Sequence, residues 1–219
     1  RSAWNNCANF IDDNRNIGNP FLSHEFFSCL EESGSVSKET GWISQHILLF
    51  EEGNSLIGIL PNYLKNHSWG EYIFDQVFAN AWENAGGKYY PKLLSAIPFS
   101  PVAGERFLIK KGYSRKFVIE KLLDALEDLK KFYKVSSAHI NFINEPQLKI
   151  ALKNKFWFER NNIQFHWSNQ NYENFEHFLS KLSSSKRKTI RRERKEIHKS
   201  SILIDIVKND EIKNYHSKI

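Results

Sequence analysis

The chain reads as an α/β protein, a mixed β-sheet flanked by helices. Strand-length apolar runs bounded by turn residues alternate along it with helical stripes of 3.6-residue period. With 41% apolar and 14% aromatic residues among 219, it also has the material for a large core.

The elements follow in order. "NPFLSHEFFSCLEES" offers Ser23 as an N-cap and sets Phe26, Phe27 and Leu30 at helical spacing. "HILLFEEGNSLIGILPNYLKN" predicts a hairpin of strands 46–51 and 55–64 around "EGN", with Pro61 marking an irregularity in the second strand. "YIFDQVFANAWENAGG" places Phe74, Val77, Phe78, Ala81, Trp82 and Ala85 on one stripe, the rhythm of a packed helix, and Gly86-Gly87 stops it. "KYYPKLLSAIPFSPV" is a strand entering a loop, and "SRKFVIEKLLDALEDLKKFY" is the cleanest amphipathic helix, with Val118, Leu122, Ala125, Leu126 and Leu129 in line. "SSAHINFI" is a strand, "EPQLKIALKN" a short helix opened by Pro146, and "FWFER" with "NIQFHW" a second hairpin across "NN". After Trp167 the pattern restarts: "NYENFEHFLSKL" and the basic run behind it are helical, "ILIDIV" a strand, "NDEIKNYHSK" a helix.

Charge is concentrated. "SSSKRKTIRRERKE" (183–196) holds seven of the 31 basic residues and two of the 25 acidic ones, so five of the six net positive charges fall within it. A local block of this kind argues for one anionic contact and against a protein that coats nucleic acid with its whole surface. As a helix the run puts Arg187, Arg191, Arg194 and His198 in one row and Lys188, Arg192, Lys195 and Lys199 in the next, with Ile190 and Ile197 seven residues apart on a buried stripe. Lys186, Arg187, Lys188, Arg191, Arg192, Arg194 and Lys195 are the candidate phosphate ligands. The alternative is a solvated face in which Glu193 and Glu196 pair with neighbours.

The two cysteines, Cys7 and Cys29, make neither a metal pattern nor a disulfide framework, which points to a reducing cytoplasm. No apolar stretch reaches the roughly 20 residues of a membrane helix, and no metal is expected. The chain has no methionine, and its last amphipathic pattern has barely begun at Ile219. The expectation is a fragment of a longer chain, or a sequence from which selenomethionines have been dropped.

Candidate chemistry gathers in "YLKNHSWGEYIFD", where loops at strand ends place side chains on a rigid scaffold. His67 with Glu71 suits acid–base work, Tyr72 stands beside them, and Lys65 and Trp69 are candidate substrate contacts. A hydrogen-bonded loop capping the next helix is the structural alternative. Tyr90 and Lys92, two apart in a strand, share a face and join the substrate-binding candidates, although such aromatics are more often core. His139 and His166 read as satisfied core histidines. No Walker-type loop, GxGxxG, nucleophile elbow or HExxH occurs, which removes weight from nucleotide hydrolase, dehydrogenase, serine hydrolase and zinc protease readings.

In order, "NPFLSHEFFSCLEESGSV", "GWISQHILLF", "YLKNHSWGEYIFDQVFANAWENAGGKYYPKLLSAIPFSPVAGERFL", "SSAHINFI", "QFHW" and "SKRKTIRRERKEI" resemble the FemAB-like family of peptidoglycan biosynthesis or recognition. That family is similar to the GNAT acyl-CoA N-acyltransferase superfamily, with two GNAT-like halves per chain. The resemblance implies a first GNAT-like domain at 1–169 and the beginning of a second at 170–219. It also implies acyl or aminoacyl transfer to an amine, with a coenzyme A thioester or aminoacyl-tRNA as donor and a cell-wall precursor as acceptor. The Q/R-x-x-G-x-G/A loop that holds the coenzyme A pyrophosphate in ordinary GNAT enzymes has no counterpart here; "AWENAGGKYY" and "PVAGERF" come nearest and do not match. The competing expectation is a non-catalytic module that recognises a wall precursor or RNA through a degenerate transferase fold.

Overall fold

A computed structural model describes residues 1–10, 18–208 and 211–215, which belong to two units, Arg1–Arg160 and Asn161–Ile219. The first unit runs α1 (Ser2–Cys7), a 3-10 turn (Pro20–Leu22), α2 (His24–Glu32), β1 (Trp42–Ser44), β2 (Ile47–Phe50), β3 (Leu56–Leu60), β4 (Tyr63–Lys65) and α3 (Gln76–Asn84). It continues with β5 (Lys92–Ser95), β6 (Leu108–Ile109), α4 (Arg115–Tyr133), β7 (Ala138–Ile140) and α5 (Glu145–Ala151). The second holds α6 (Phe175–Ser180), α7 (Ser184–Lys199) and a 3-10 turn, Ile212–Tyr215. The class is α/β as the periodicity predicts.

The strand expected at 55–64 splits into β3 and β4, which enter different sheets. Pro61 has no N–H to give the ladder, and the chain turns there. Gln45 N–H donates to the Asn62 carbonyl (2.7 Å) and Asn62 N–H to His46 Nδ1 (3.1 Å), holding the corner together. One sheet has the order β1-β4-β5-β7 and is mixed, because β5 and β7 are parallel; the other, β2-β3-β6, is antiparallel.

Two apolar clusters pack against these sheets. One gathers Trp4, Leu22, Phe27, Trp42, Ile59 and Tyr63 around α1 and α2. The other places Val118, Ile119, Leu122 and Leu126 of α4 on Leu60, Leu93 and Phe107. Ser114 caps α4 by accepting from Phe117 N–H, and Lys134 ends it in the left-handed region. At Gly58 in β3 an added Cβ would stand 2.5 Å from Val118 Cγ1, a buried β-branched side chain with no room to turn. Gly58→Ala is therefore expected to cost about 1–3 kcal/mol through overpacking, read as a lower urea midpoint at unchanged slope.

Five sequence expectations are corrected. The 76–84 helix forms, yet its apolar stripe faces outward: Phe74, Val77, Phe78 and Trp82 are exposed and Ala79 is its buried residue. Helical spacing says that these residues share a face, and no described element of its own unit covers that face. The hairpin across 161–162 does not form. Phe156, Phe158, Ile163, Phe165 and Trp167 are exposed, no described strand takes them as a partner, and His166 is a surface residue bonded to Gln164 Oε1, outside any core. Residues 202–207 likewise lack the partner strand that an isolated apolar run needs, and stay irregular. Of the helix expected in 209–218, Ile212–Tyr215 is a 3-10 turn, and 209–210 and 216–218 lie outside the described residues.

Candidate functional site

Sheet register brings two lysines face to face. β4 and β5 pair antiparallel with Lys65 directly opposite Lys92, and both side chains are fully buried. Like charges opposed in this way repel, so the fold must supply countercharge. It comes from the loop after β4 and the start of α3. Lys92 Nζ donates to Glu71 Oε2 (2.8 Å), Asp75 Oδ2 (2.5 Å) and Ser68 Oγ (2.8 Å), filling its three donor positions. Tyr89 OH donates to the same Asp75 oxygen (2.8 Å), and Ser68 Oγ is 2.7 Å from Tyr90 OH. Glu71 and Asp75 are 2% and 1% exposed, and the remaining oxygen of each, Glu71 Oε1 and Asp75 Oδ1, has no hydrogen-bond partner among the described residues.

Lys65 is held differently. Its ammonium lies 3.7 Å from the centroid of the Trp42 ring, donates to Trp69 O (3.2 Å) and stands 3.4 Å from His67 Nδ1. With no carboxylate in contact, burial dominates and pulls its pKa down to about 7, the charge of Glu71 opposing and that of Lys92 assisting. Burial raises the Glu71 pKa against the pull of Lys92. For Asp75 burial is the largest influence and acts upward, but the hydrogen bonds and charge supplied by Lys92 and its neighbours outweigh it and leave the pKa below the usual value.

His67 accepts from Trp69 N–H at Nδ1 (3.2 Å) and meets the Thr40 carbonyl at Nε2 (3.0 Å), an arrangement that fits the neutral ring with its proton on Nε2. Burial and then the Lys65 charge depress its pKa, in keeping with that form. The Trp69 ring lies over His67 with centroids 5.2 Å apart and is 81% exposed. Lys65, His67, Glu71, Tyr90 and Lys92 therefore come together. Tyr72 stays exposed, and no hydrogen bond joins it to them among the described residues.

Sequence reasoning left Asp75, Ser68 and Tyr89 out of the candidate set, although each supplies a direct contact. Arg106 sits elsewhere, whereas His139 borders the cluster, its ring edge-on to that of Tyr89 with centroids 6.3 Å apart. Arg106 bonds the carbonyls of Asn141, Glu105 and Val102, its pKa lowered by burial to about 10. His139 meets Ser137 Oγ (2.9 Å), its pKa lowered by burial to about 4. A groove of about 610 Å³ between β2 and α4, lined by Gln45, Leu48, Leu129 and Phe132, carries two titratable groups, His46 and Asp128, both already bonded. It offers less chemistry than the lysine cluster.

What the cluster provides is a fixed, charge-balanced floor with two half-buried hydroxyls, Ser68 and Tyr90, above it. Such a floor orients polar groups without exposing an ion.

The basic run is α7, capped by Ser183 and exposed along most of its length. Arg187 Nη1 donates to the Ser180 and Leu182 carbonyls at the end of α6 (3.1 and 2.8 Å), Arg191 pairs with Glu176 (2.5 Å), and Arg194 stacks on Phe175 at 4.4 Å. Among the described residues Lys186, Lys188 and Lys195 make no ion pair, and Arg192 reaches Glu196 at 4.0 Å.

These features define an α/β protein with a buried ionic cluster where β4 and β5 meet the following helix. The family model for FemAB-like proteins, described as peptidoglycan biosynthesis/recognition, matches residues 1–219, and the chain belongs to that family. Comparison with curated proteins and with solved structures finds no match. Among the described residues, no helix is long and apolar enough to cross a membrane.

Proposed function

We propose that the chain takes part in peptidoglycan biosynthesis as a FemAB-like transferase that moves an acyl or aminoacyl group onto an amine of a cell-wall precursor, in the cytoplasm. Membership of the family gives the biological setting. The observation that carries the site is the Lys92 cluster: two carboxylates and two lysines buried together cost several kcal/mol to desolvate, and such an arrangement places Ser68 and Tyr90 rigidly. Transfer then relies on positioning the amine and the donor carbonyl more than on one acid–base side chain. The donor is a coenzyme A thioester or an aminoacyl-tRNA, and the chain supplies the first of two GNAT-like halves (1–169) with the start of the second (170–219).

Incubation of the protein with panels of acyl-CoA and aminoacyl-tRNA and an amine-bearing wall precursor, followed by mass spectrometry of the acceptor, is expected to show the mass gain of one acyl group. Ser68→Ala is expected to reduce the rate at least tenfold, on the order of 1.4 kcal/mol, and to lower the thermal midpoint as well, because buried Lys92 loses one of its three acceptors. Absence of product with every donor sinks the transferase reading. A second reading, a non-catalytic module that recognises the precursor, has its own support: both nitrogens of His67 and all three donors of Lys92 are satisfied internally. It predicts precursor binding by calorimetry without product.

A further inference from the structure

The second unit sorts its cations by task. On α7, Arg187, Arg191 and Arg194 face α6, where they cap its last carbonyls, pair with Glu176 and cover Phe175. The next row, Lys188, Arg192, Lys195 and Lys199, recurs at i, i+4, i+7 and i+11, is exposed throughout, and spans about 16 Å at 1.5 Å per residue. The isoleucines of α7, Ile190 and Ile197, lie on the opposite side of the helix, so this row has no apolar residue to insert into a lipid surface. A line of that length also outreaches a single diphosphate and matches successive phosphates along a strand.

A second feature stands beside it. Trp167, Tyr172, Phe175 and Phe178 line a groove of about 390 Å³ with Asn169 and Asn174 at its rim. Trp167 and Tyr172 are stacked at 27° with centroids 6.2 Å apart, and Tyr172 meets Phe178 edge-on at 5.3 Å. Trp167 is 68% exposed and Phe175 41%. The guanidinium of Arg194 over Phe175 links this groove to α7. Aromatic faces with amide groups at the edge, next to a row of cations, are the two parts of a site for single-stranded nucleic acid: bases stack and phosphates pair.

We propose that the second unit binds a single-stranded segment of RNA, its phosphates along Lys188, Arg192, Lys195 and Lys199 and an unstacked base in the Trp167–Phe178 groove. This deepens the phosphate-binding role expected of the basic run and narrows it from both cationic rows to the lysine row. It rests on residues of the second unit alone, so loss of transfer activity leaves it intact.

Fluorescence anisotropy of the full chain with a labelled twelve-residue oligouridylate tests it, with an RNA duplex of equal length, coenzyme A and anionic phosphatidylserine vesicles as competitors. The oligouridylate is expected to bind with log K falling against log[salt] at a slope of about −3, four contacts at about −0.7 each. Lys188→Glu with Lys195→Glu is expected to weaken binding at least tenfold and to flatten the slope by about 1.4, with an unchanged circular dichroism spectrum. Trp167→Ala is expected to weaken it about 5- to 150-fold at an unchanged slope, the signature of lost stacking. The proposal is overturned by affinity unaltered in both variants, by equal preference for the duplex, by full competition from coenzyme A, or by binding to vesicles alone.

Discussion

Replacing Lys92 by Met is expected to destabilise the protein by about 3–5 kcal/mol. The methylenes of the side chain survive, but Glu71 and Asp75 lose their shared ammonium while remaining 2% and 1% exposed. Each carboxylate already has one oxygen without a described partner; without Lys92, Glu71 loses its one described side-chain donor and Asp75 keeps only the Tyr89 hydroxyl. Urea denaturation at pH 7 measures the loss as a lower midpoint at constant slope. Neutralising the partners as well, in Lys92→Met with Glu71→Gln and Asp75→Asn, is expected to recover a large part of it, because the single variant suffers from stranded charge more than from missing attraction. A single-variant loss under about 1 kcal/mol would mean that water reaches the cluster and that its charges are cheap to leave unpaired.

The elements that could be read in advance are those whose signals are local. α4 combines a capping serine, a stripe of period 3.6 and a clear stop, and it forms at Arg115–Tyr133 with that stripe buried. The same periodicity at Phe74, Val77, Phe78 and Trp82 gave the helix but not its environment, since period fixes which residues share a face and says nothing about what lies against it. β1, β4 and β6 are two or three residues long and owe their existence to neighbours distant in sequence. The hairpin at 46–64 was visible from "EGN"; its division between two sheets was signalled by Pro61 only as an irregularity.

The site divides along the same line. The loop 65–75 stood out because polar and aromatic residues crowd there, and Lys92 because it shares a strand face with Tyr90. That Lys65 and Lys92 stand opposite each other depends on register between β4 and β5, and register is a tertiary property. Asp75 belongs to Lys92 for the same reason: it begins α3 and closes the charge balance only once the sheet is assembled. One signal was available, since two lysines in apolar strands require buried acids nearby, and Glu71 and Asp75 are the acids the connecting loop contains. His67 with Glu71 looked like an acid–base pair by spacing; in the fold each has other partners, Thr40 and Trp69 for the imidazole and Lys92 for the carboxylate.

Stability should rise from pH 7 to pH 9, and Lys65 should be the reason. Unfolded, a lysine titrates near 10.4; folded, burial brings Lys65 down to about 7. Between those values the unfolded chain binds more protons than the native one, so unfolding becomes harder as pH increases, by up to about 1.4 kcal/mol per unit. Below about pH 7 the cost of burying the charged lysine is carried in full, and above the unfolded value it is gone. Glu71 acts in the opposite sense: with its folded pKa raised, it lowers stability as pH climbs from the unfolded carboxylate value through the folded one. Tyr89, whose pKa burial and its bond to Asp75 push upward, enters only at strongly alkaline pH. Urea midpoints at pH 7 and 9 for the native protein and Lys65→Met therefore isolate one group. The native protein is expected to gain up to about 2 kcal/mol over that interval, screened toward the lower end where solvent reaches the amine, and the variant less than half as much. Parallel curves would mean that Lys65 stays protonated over Trp42, where the ring and the Trp69 carbonyl would then have to supply what a carboxylate does for Lys92.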